Sequence, residues 1–340
     1  MFTCLRLAIL VRLTMLVRLT TRRTVDPVRG ISLALSTLVL MGLSTGCVVG
    51  QSPGPTRSEP FTPPPRQAVS PDLPSLLLAT QWVADYREDL TLLDVRPNRS
   101  YRTSHIPGAI NINWKTFSDP QAPYPGNLNP DVAVLSRLLS EMGIESDRAI
   151  VIYSNPLDNW GEEGRIFWML ETLGASRVAI MDGGFPAWIE EGRATNDLIP
   201  EPTPVRFEPT WHAQRIMGWS EIRDRLADPS LTIVDTRTES EYKGATPYGE
   251  VRGGHIPGAQ HLYWKDLLDP AGHLLSAPQL NVRIQQAGLD PGSEIVLYCT
   301  GGVRSGFVYF VLRQLGAMKA RNYDGSFWEW SSRRDLPIER

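Results

Sequence analysis

Most of this chain is written twice. Leu92-Leu93-Asp94-Val95-Arg96 returns as Ile233-Val234-Asp235-Thr236-Arg237, and His105-Ile106-Pro107-Gly108-Ala109 returns as His255-Ile256-Pro257-Gly258-Ala259. Each copy then reaches a Trp-Lys pair, Trp114-Lys115 and Trp264-Lys265. Residues 149–153 (AIVIY) match 294–298 (EIVLY), and Asp182-Gly183-Gly184-Phe185 matches Asp324-Gly325-Ser326-Phe327. The offset is 141 at the first motif and 142 at the last. Two copies of domain size exclude a solenoid and demand one fold built twice. Within each copy, short apolar strands alternate with helical stretches such as 131–142 and 219–226. That alternation predicts an α/β fold, with a mostly parallel sheet and helices on both faces in each copy. With 340 residues and 42% hydrophobic content, the chain can fill two cores.

The second copy carries the chemistry. Residues 294–298 end a buried strand, Cys299 follows at once, then Thr300, Gly301, Gly302 and Val303, then Arg304 and Ser305. Phe307, Val308, Val311, Leu312 and Leu315 are spaced as one face of a helix, which Gly316 stops. A glycine loop between strand and helix turns its N–H groups inward, and the helix start adds its positive end. Such a setting, with the Arg304 guanidinium nearby, predicts a thiolate-rich, partly exposed nucleophile. A buried core thiol is the plain alternative, although it needs neither the glycines nor the arginine. Aligning the tyrosine-ended strands sets Ser154 opposite Cys299. The first copy then reads Asn155-Pro156-Leu157-Asp158, without paired glycines or arginine, so only the second is equipped for catalysis.

The N-terminal part reads differently. Residues 1–46 hold six arginines and one acid, Asp26, and residues 31–43 are an uncharged apolar run too short to span a bilayer. Small residues then lead to Cys47, in the manner of a bacterial lipobox. The expectation is a lipoprotein-type signal peptide at 1–46 and lipid attachment at Cys47. The mature protein would then sit at a bacterial cell membrane, facing the periplasm or exterior. An ordinary signal peptide, or a start at Met15 with a cytoplasmic protein, are the alternatives. Eight prolines between 51 and 74 predict an extended tether, assigned to 47–74. Residues 47–340 hold 28 basic and 36 acidic residues with no basic stripe, which argues against nucleic acid. No His, Cys and acid cluster has metal-ligand spacing.

Asp-x-Arg, Gly-His-Ile-Pro-Gly-Ala, the cysteine loop and Tyr-Asp-Gly-Ser together resemble the rhodanese superfamily in its tandem form, the thiosulfate and 3-mercaptopyruvate sulfurtransferases. The resemblance implies a non-catalytic first domain at 86–193, a linker at 196–210 and a catalytic second domain at 228–339. It implies that Cys299 takes a sulfane sulfur from thiosulfate as a persulfide and passes it to cyanide or a thiol, with no cofactor. The N–H groups of Thr300, Gly301, Gly302, Val303, Arg304 and Ser305 would cradle that sulfur, with Arg304 and Arg237 binding the donor's anionic end. 3-Mercaptopyruvate as donor, and a sulfur-carrying protein without turnover, are the alternatives. Phosphatases of related fold place one residue more between cysteine and arginine.

Several residues carry two readings. Asp235 and Arg237 also suit a structural ion pair at a strand end. His105 and His255 suit a turn held by hydrogen bonds, and Trp328 and Trp330 suit packing. The second copy has an insertion at 243–254, placed to overhang the pocket, with Arg252 as a further candidate cation.

Overall fold

The computed structural model describes residues 70–340. The leader, Cys47 and most of the proline-rich stretch lie outside the described residues. The first repeat runs β1 (Leu77–Leu78), α1 (Thr80–Tyr86), β2 (Thr91–Asp94), α2 (Asn98–Thr103), β3 (Ile110–Asn111), α3 (Val132–Glu141), β4 (Ile150–Tyr153), α4 (Glu162–Thr172), β5 (Val178–Met181) and α5 (Gly184–Glu190). The second runs α6 (Trp219–Asp224), β6 (Leu231–Asp235), α7 (Glu239–Tyr242), β7 (Gln260–His261), α8 (Ala277–Gln286), β8 (Glu294–Tyr298), α9 (Val303–Gln314), β9 (Ala320–Asn322) and α10 (Ser326–Ser332). The sheets are ordered β1-β5-β4-β2-β3 and β7-β6-β8-β9, and their pairings are parallel. Their registers coincide: Asp94 stands beside Tyr153, and Asp235 beside Tyr298. Where the first repeat has β1, the second has a single parallel bridge from Ile216 to Asn322.

Alternate strand residues feed different cores, as a pleated sheet dictates. Leu92 and Val151 join Phe185 and Trp188 in one cluster, and Ile233 and Val296 join Phe327 and Trp330 in another. Leu93 and Ile152 meet Val234 and Leu297 in a third, which holds Phe167 and Leu170 of α4 and Phe310 and Leu312 of α9. The two repeats therefore share a central helical layer. Helix α9 was expected to bury one face, but every residue from Val303 to Leu312 is buried. One side meets its own sheet and the other meets α4, so beyond the polar first turn at Arg304 and Ser305 the helix carries only apolar and aromatic residues from Gly306 to Leu312. The helices touch backbone to backbone: a Cβ on Gly164 would lie 2.2 Å from Phe307 Cα.

The repeats also hold each other by matched contacts. Asp182 Oδ1 accepts the Leu274 N–H (2.9 Å), and Asp324 Oδ2 accepts the Leu128 N–H (2.7 Å). Each aspartate opens the Asp-Gly motif of its own repeat and grips a hairpin of the other. Both repeats begin earlier than the sequence indicates. β1 and α1 both begin before residue 86, and Met217 and Ile222 of the second core precede residue 228. A two-residue edge strand has no periodicity to read. The proline-rich linker is tied to the first repeat, with the Val205 N–H bonded to Ser140 O, the Thr210 N–H to Leu173 O, and Phe207 buried. No helix among the described residues is long and apolar enough to cross a membrane.

Candidate active site

β8 delivers Cys299 to the carboxyl end of the second sheet, beside its central strands, where open α/β sheets place their sites. Gly302 then adopts φ 78°. A Cβ there would meet Asp324 O at 2.6 Å, so both conformation and space require glycine. The chain turns at once into α9, whose first residues sit beside the sulfur.

Cys299 is 1% exposed, more enclosed than its sequence context suggests, and forms part of the wall of a cleft of about 240 Å³. Burial pushes its thiol pKa up. The Arg304 guanidinium, the N–H and hydroxyl of Ser305 and the N–H of Gly301 outweigh that, and the net is a thiol below its ordinary value. The Ser305 hydroxyl lies 3.7 Å from Sγ. Behind the loop, the Cys299 N–H donates to Ser326 Oγ (3.1 Å), whose own hydroxyl donates to Tyr323 O (2.7 Å). Ser326 holds φ 52°, while its counterpart in the first repeat is Gly184, at φ 57°. A left-handed serine is strained, and here its hydroxyl fixes the backbone under the nucleophile.

The predicted cradle divides into parts. Thr300, Gly301, Val303 and Arg304 line the cleft with Cys299. Ser305 lies beneath the sulfur, while the Gly302 carbonyl faces away to accept from Asn322 (3.1 Å) and Arg165 (3.4 Å). Arg304 reaches the cleft already engaged. Its Nη1 and Nη2 donate to Glu241 at 2.8 Å each, and Nη2 donates to Thr300 Oγ1 (2.5 Å). Burial would raise the Glu241 carboxyl, but Arg304 and Thr238 hold it at about 2. Arg304 thus serves the sulfur and the fold, and is not a free grip for the donor.

Arg237 requires correction as a substrate-binding residue. It is fully buried, bonded to Asp235 (Nη2 to Oδ2, 2.6 Å) and to Gly254 O (2.7 Å), and stacked 3.9 Å over Phe327. Arg96 repeats this arrangement in the first repeat, on Asp94 (2.6 Å), Ser104 O (2.7 Å) and Phe185 (3.6 Å). A geometry shared with the unequipped repeat is structural. Arg252 is corrected likewise: it donates to Ser331 O, Leu336 O, Trp330 O and Arg333 O, closing the end of α10. His105 and His255 hold their turns, with Nδ1 2.8 Å and 2.9 Å from Tyr101 O and Tyr242 O. Trp330 is packing, but Trp328 lines the cleft.

The insertion does overhang the cleft. Tyr248 lines it, its carbonyl accepts from the Trp328 indole (3.0 Å), and Glu250 approaches Thr300 Oγ1 (3.4 Å). The first repeat supplies the opposite wall through Trp114, Lys115, Pro125, Trp160 and Glu162. Its buried Arg165 donates to Gly126 O (2.7 Å) and packs against the catalytic loop. These residues escape a sequence reading because the contacts join positions over a hundred apart. Glu241 had a local signal: Thr238-x-x-Glu241 is a capping box, formed at the start of α7.

A duplicated parallel α/β chain with one activated cysteine at a sheet's carboxyl end defines a narrow class of protein. The Rhodanese-like domain model matches residues 79–191 and 219–333. The chain belongs to the rhodanese family and is a sulfurtransferase of its tandem form. It is 33% identical to a thiosulfate sulfurtransferase of Azotobacter vinelandii, over 74% of this chain and 91% of that protein. It is 25% identical to a 3-mercaptopyruvate sulfurtransferase of Escherichia coli, over 77% and 97%. The solved structure of SseA from Escherichia coli superposes with a TM-score of 0.68 at 23% identity, covering 74% of this chain and 98% of that one.

Proposed function

We propose that the protein moves sulfane sulfur from thiosulfate to cyanide or a thiol acceptor through a persulfide on Cys299. The Cys299 thiolate attacks the outer sulfur, a new S–S bond forms, and the old one breaks to release sulfite with the bonding pair. The acceptor's lone pair then takes the terminal sulfur and returns the thiolate. The observation that carries this reading is the placement of Cys299 in the cleft wall beside Arg304, with the Ser305 hydroxyl 3.7 Å from Sγ, a setting that holds the thiol below its ordinary value. The similarity to a thiosulfate sulfurtransferase over most of the chain supports it. Intact mass of the protein after thiosulfate treatment is expected to rise by one sulfur, and Cys299→Ser to abolish the rise. A Cys299→Ser variant that still gains sulfur sinks the assignment.

3-Mercaptopyruvate is favoured by one observation. Thr300 to Val303 are uncharged and Arg304 is bound to Glu241, so the loop offers no uncommitted cation to a dianion. Comparing kcat/KM for the two donors decides. A hundredfold preference for mercaptopyruvate, about 2.7 kcal/mol, would overturn thiosulfate.

We further propose that the mature chain is anchored by acyl chains on Cys47 and faces outward from a bacterial cytoplasmic membrane. The ordered basic region, apolar run, cysteine and proline-rich tether support this. Among the described residues Cys299 is the free cysteine, so acylation of Cys47 would leave the nucleophile few thiols to pair with. Full-length protein should enter the detergent phase, and Cys47→Ala should move it to the aqueous phase. A wild type that stays aqueous rejects the anchor.

A further inference from the structure

An anionic sulfur donor presents two charged regions to the site. The loop dipoles and Arg304 receive the sulfur that Cys299 attacks. The sulfonate or carboxylate end needs a second cation, reachable from the cleft and not already neutralised. The arginines around the site do not meet that need. Arg237 and Arg304 are ion-paired in the interior, Arg252 is bound to four carbonyls, and Arg165 holds Gly126 O and Gly302 O.

Lys115 meets it. It belongs to the wall of the cleft that holds Cys299, and among the described residues no carboxylate lies within salt-bridge distance of its ammonium. The Asn113 side chain accepts the Lys115 N–H (2.9 Å), which fixes the backbone of the turn, and Nζ sits 5.6 Å over the Trp114 ring. Glu162 lines the same cleft and feels the Lys115 charge. The twin in the second repeat shows what such a lysine does when its role is structural. Lys265 sits 5.4 Å over Trp264 and donates to Leu157 O of the first repeat (2.7 Å). Trp264 is buried against Phe307, whereas Trp114 faces the cleft. One member of the duplicated Trp-Lys pair ties the repeats together, and the other stands at the reaction site.

We propose that Lys115, on the repeat without a nucleophile, binds the anionic end of the sulfur donor. This rests on the sulfur-transfer reading above and assigns its donor-binding cation.

The test uses the full chain with Lys115→Met and Lys115→Arg. With thiosulfate, Lys115→Met should lose about tenfold in kcat/KM for the donor and keep kcat/KM for the acceptor, and Lys115→Arg should retain most of the donor value. A second readout is independent of turnover. Cys299 is alkylated with iodoacetate, an anion, and with iodoacetamide, its neutral counterpart. Lys115→Met should lower the ratio of the two rates about fivefold, with the iodoacetamide rate unchanged. An unchanged ratio, or equal slowing by both reagents, overturns the proposal. If wild-type protein accepts no sulfur from thiosulfate, the proposed reaction fails, and the alkylation ratio still decides the role of Lys115.

Discussion

At the scale of single residues, the site is governed by a charge balance around one sulfur. Arg304 lowers the Cys299 thiol, and Glu241 sets how much of that positive charge the sulfur feels. The two residues therefore predict opposite shifts. Glu241→Gln leaves the guanidinium uncompensated and should move the thiol further down. Arg304→Gln should move it up, and it also strands a buried carboxylate, which costs roughly 3–5 kcal/mol in comparable pairs. Iodoacetamide alkylation of Cys299 followed against pH reads both. Shifts in the same direction would reject the balance. Ser326 adds a third case: Ser326→Ala keeps the left-handed strain and loses both hydrogen bonds, and should destabilise the protein by about 1–3 kcal/mol in denaturant melts.

At the scale of elements, α4 and α9 decide what the molecule tolerates. Their close approach leaves Gly164 no room for a side chain. Gly164→Val should destabilise by roughly 1–3 kcal/mol or more through overpacking, measured as a lower midpoint in urea. Helix α4 also buries Glu163. Burial raises its carboxyl to about 7, the Glu162 charge adds to that, and its own N–H and Asn159 only partly offset it. The folded chain thus holds a proton that the unfolded chain releases near the ordinary carboxylate value. Stability from this group is complete below about pH 4.5 and is lost as pH rises toward 7, on the order of 3 kcal/mol in all. Glu163→Gln should flatten the dependence of urea midpoint on pH across that window. An unaltered slope would show that the proton sits elsewhere. The strand, cysteine loop and helix of the site were legible because each is a local pattern: an apolar run, two glycines and a helix stop at Gly316. The opposite wall of the cleft was not, because Trp114, Lys115 and Trp160 carry no local sign of facing Cys299. Arg237 misled for a related reason, since Asp-x-Arg reads alike whether the arginine meets solvent or stacks on Phe327.

At the scale of the whole molecule, the duplication and the confinement of the nucleophile to the second repeat were plain in the sequence, but the first repeat's share in the site was not. An unequipped first repeat reads as a passenger. In the structure it builds one wall of the cleft and about half of the central core. Heat or denaturant should unfold residues 70–340 in one cooperative transition, with fluorescence and circular dichroism coincident. Two resolved transitions would contradict the shared core. A second repeat produced alone should expose the α4-facing side of α9 and lose sulfur transfer, and adding the first repeat as a separate chain should restore part of it.

The matched grips of Asp182 and Asp324 bear on how such a gene can change over time. Once one copy holds the nucleophile, selection on the other copy's chemistry ends, and its loop is free to differ, as residues 154–160 differ from residues 299–305. Selection on its outline does not end, because each hairpin and each Asp-Gly turn is a fitting for its sibling. Substitutions that would be neutral in an independent domain become visible through the catalysis of the neighbour. Lineages descended from this arrangement should therefore vary freely at residues 154–160 while retaining the glycine, aspartate and hairpin positions that face the second repeat.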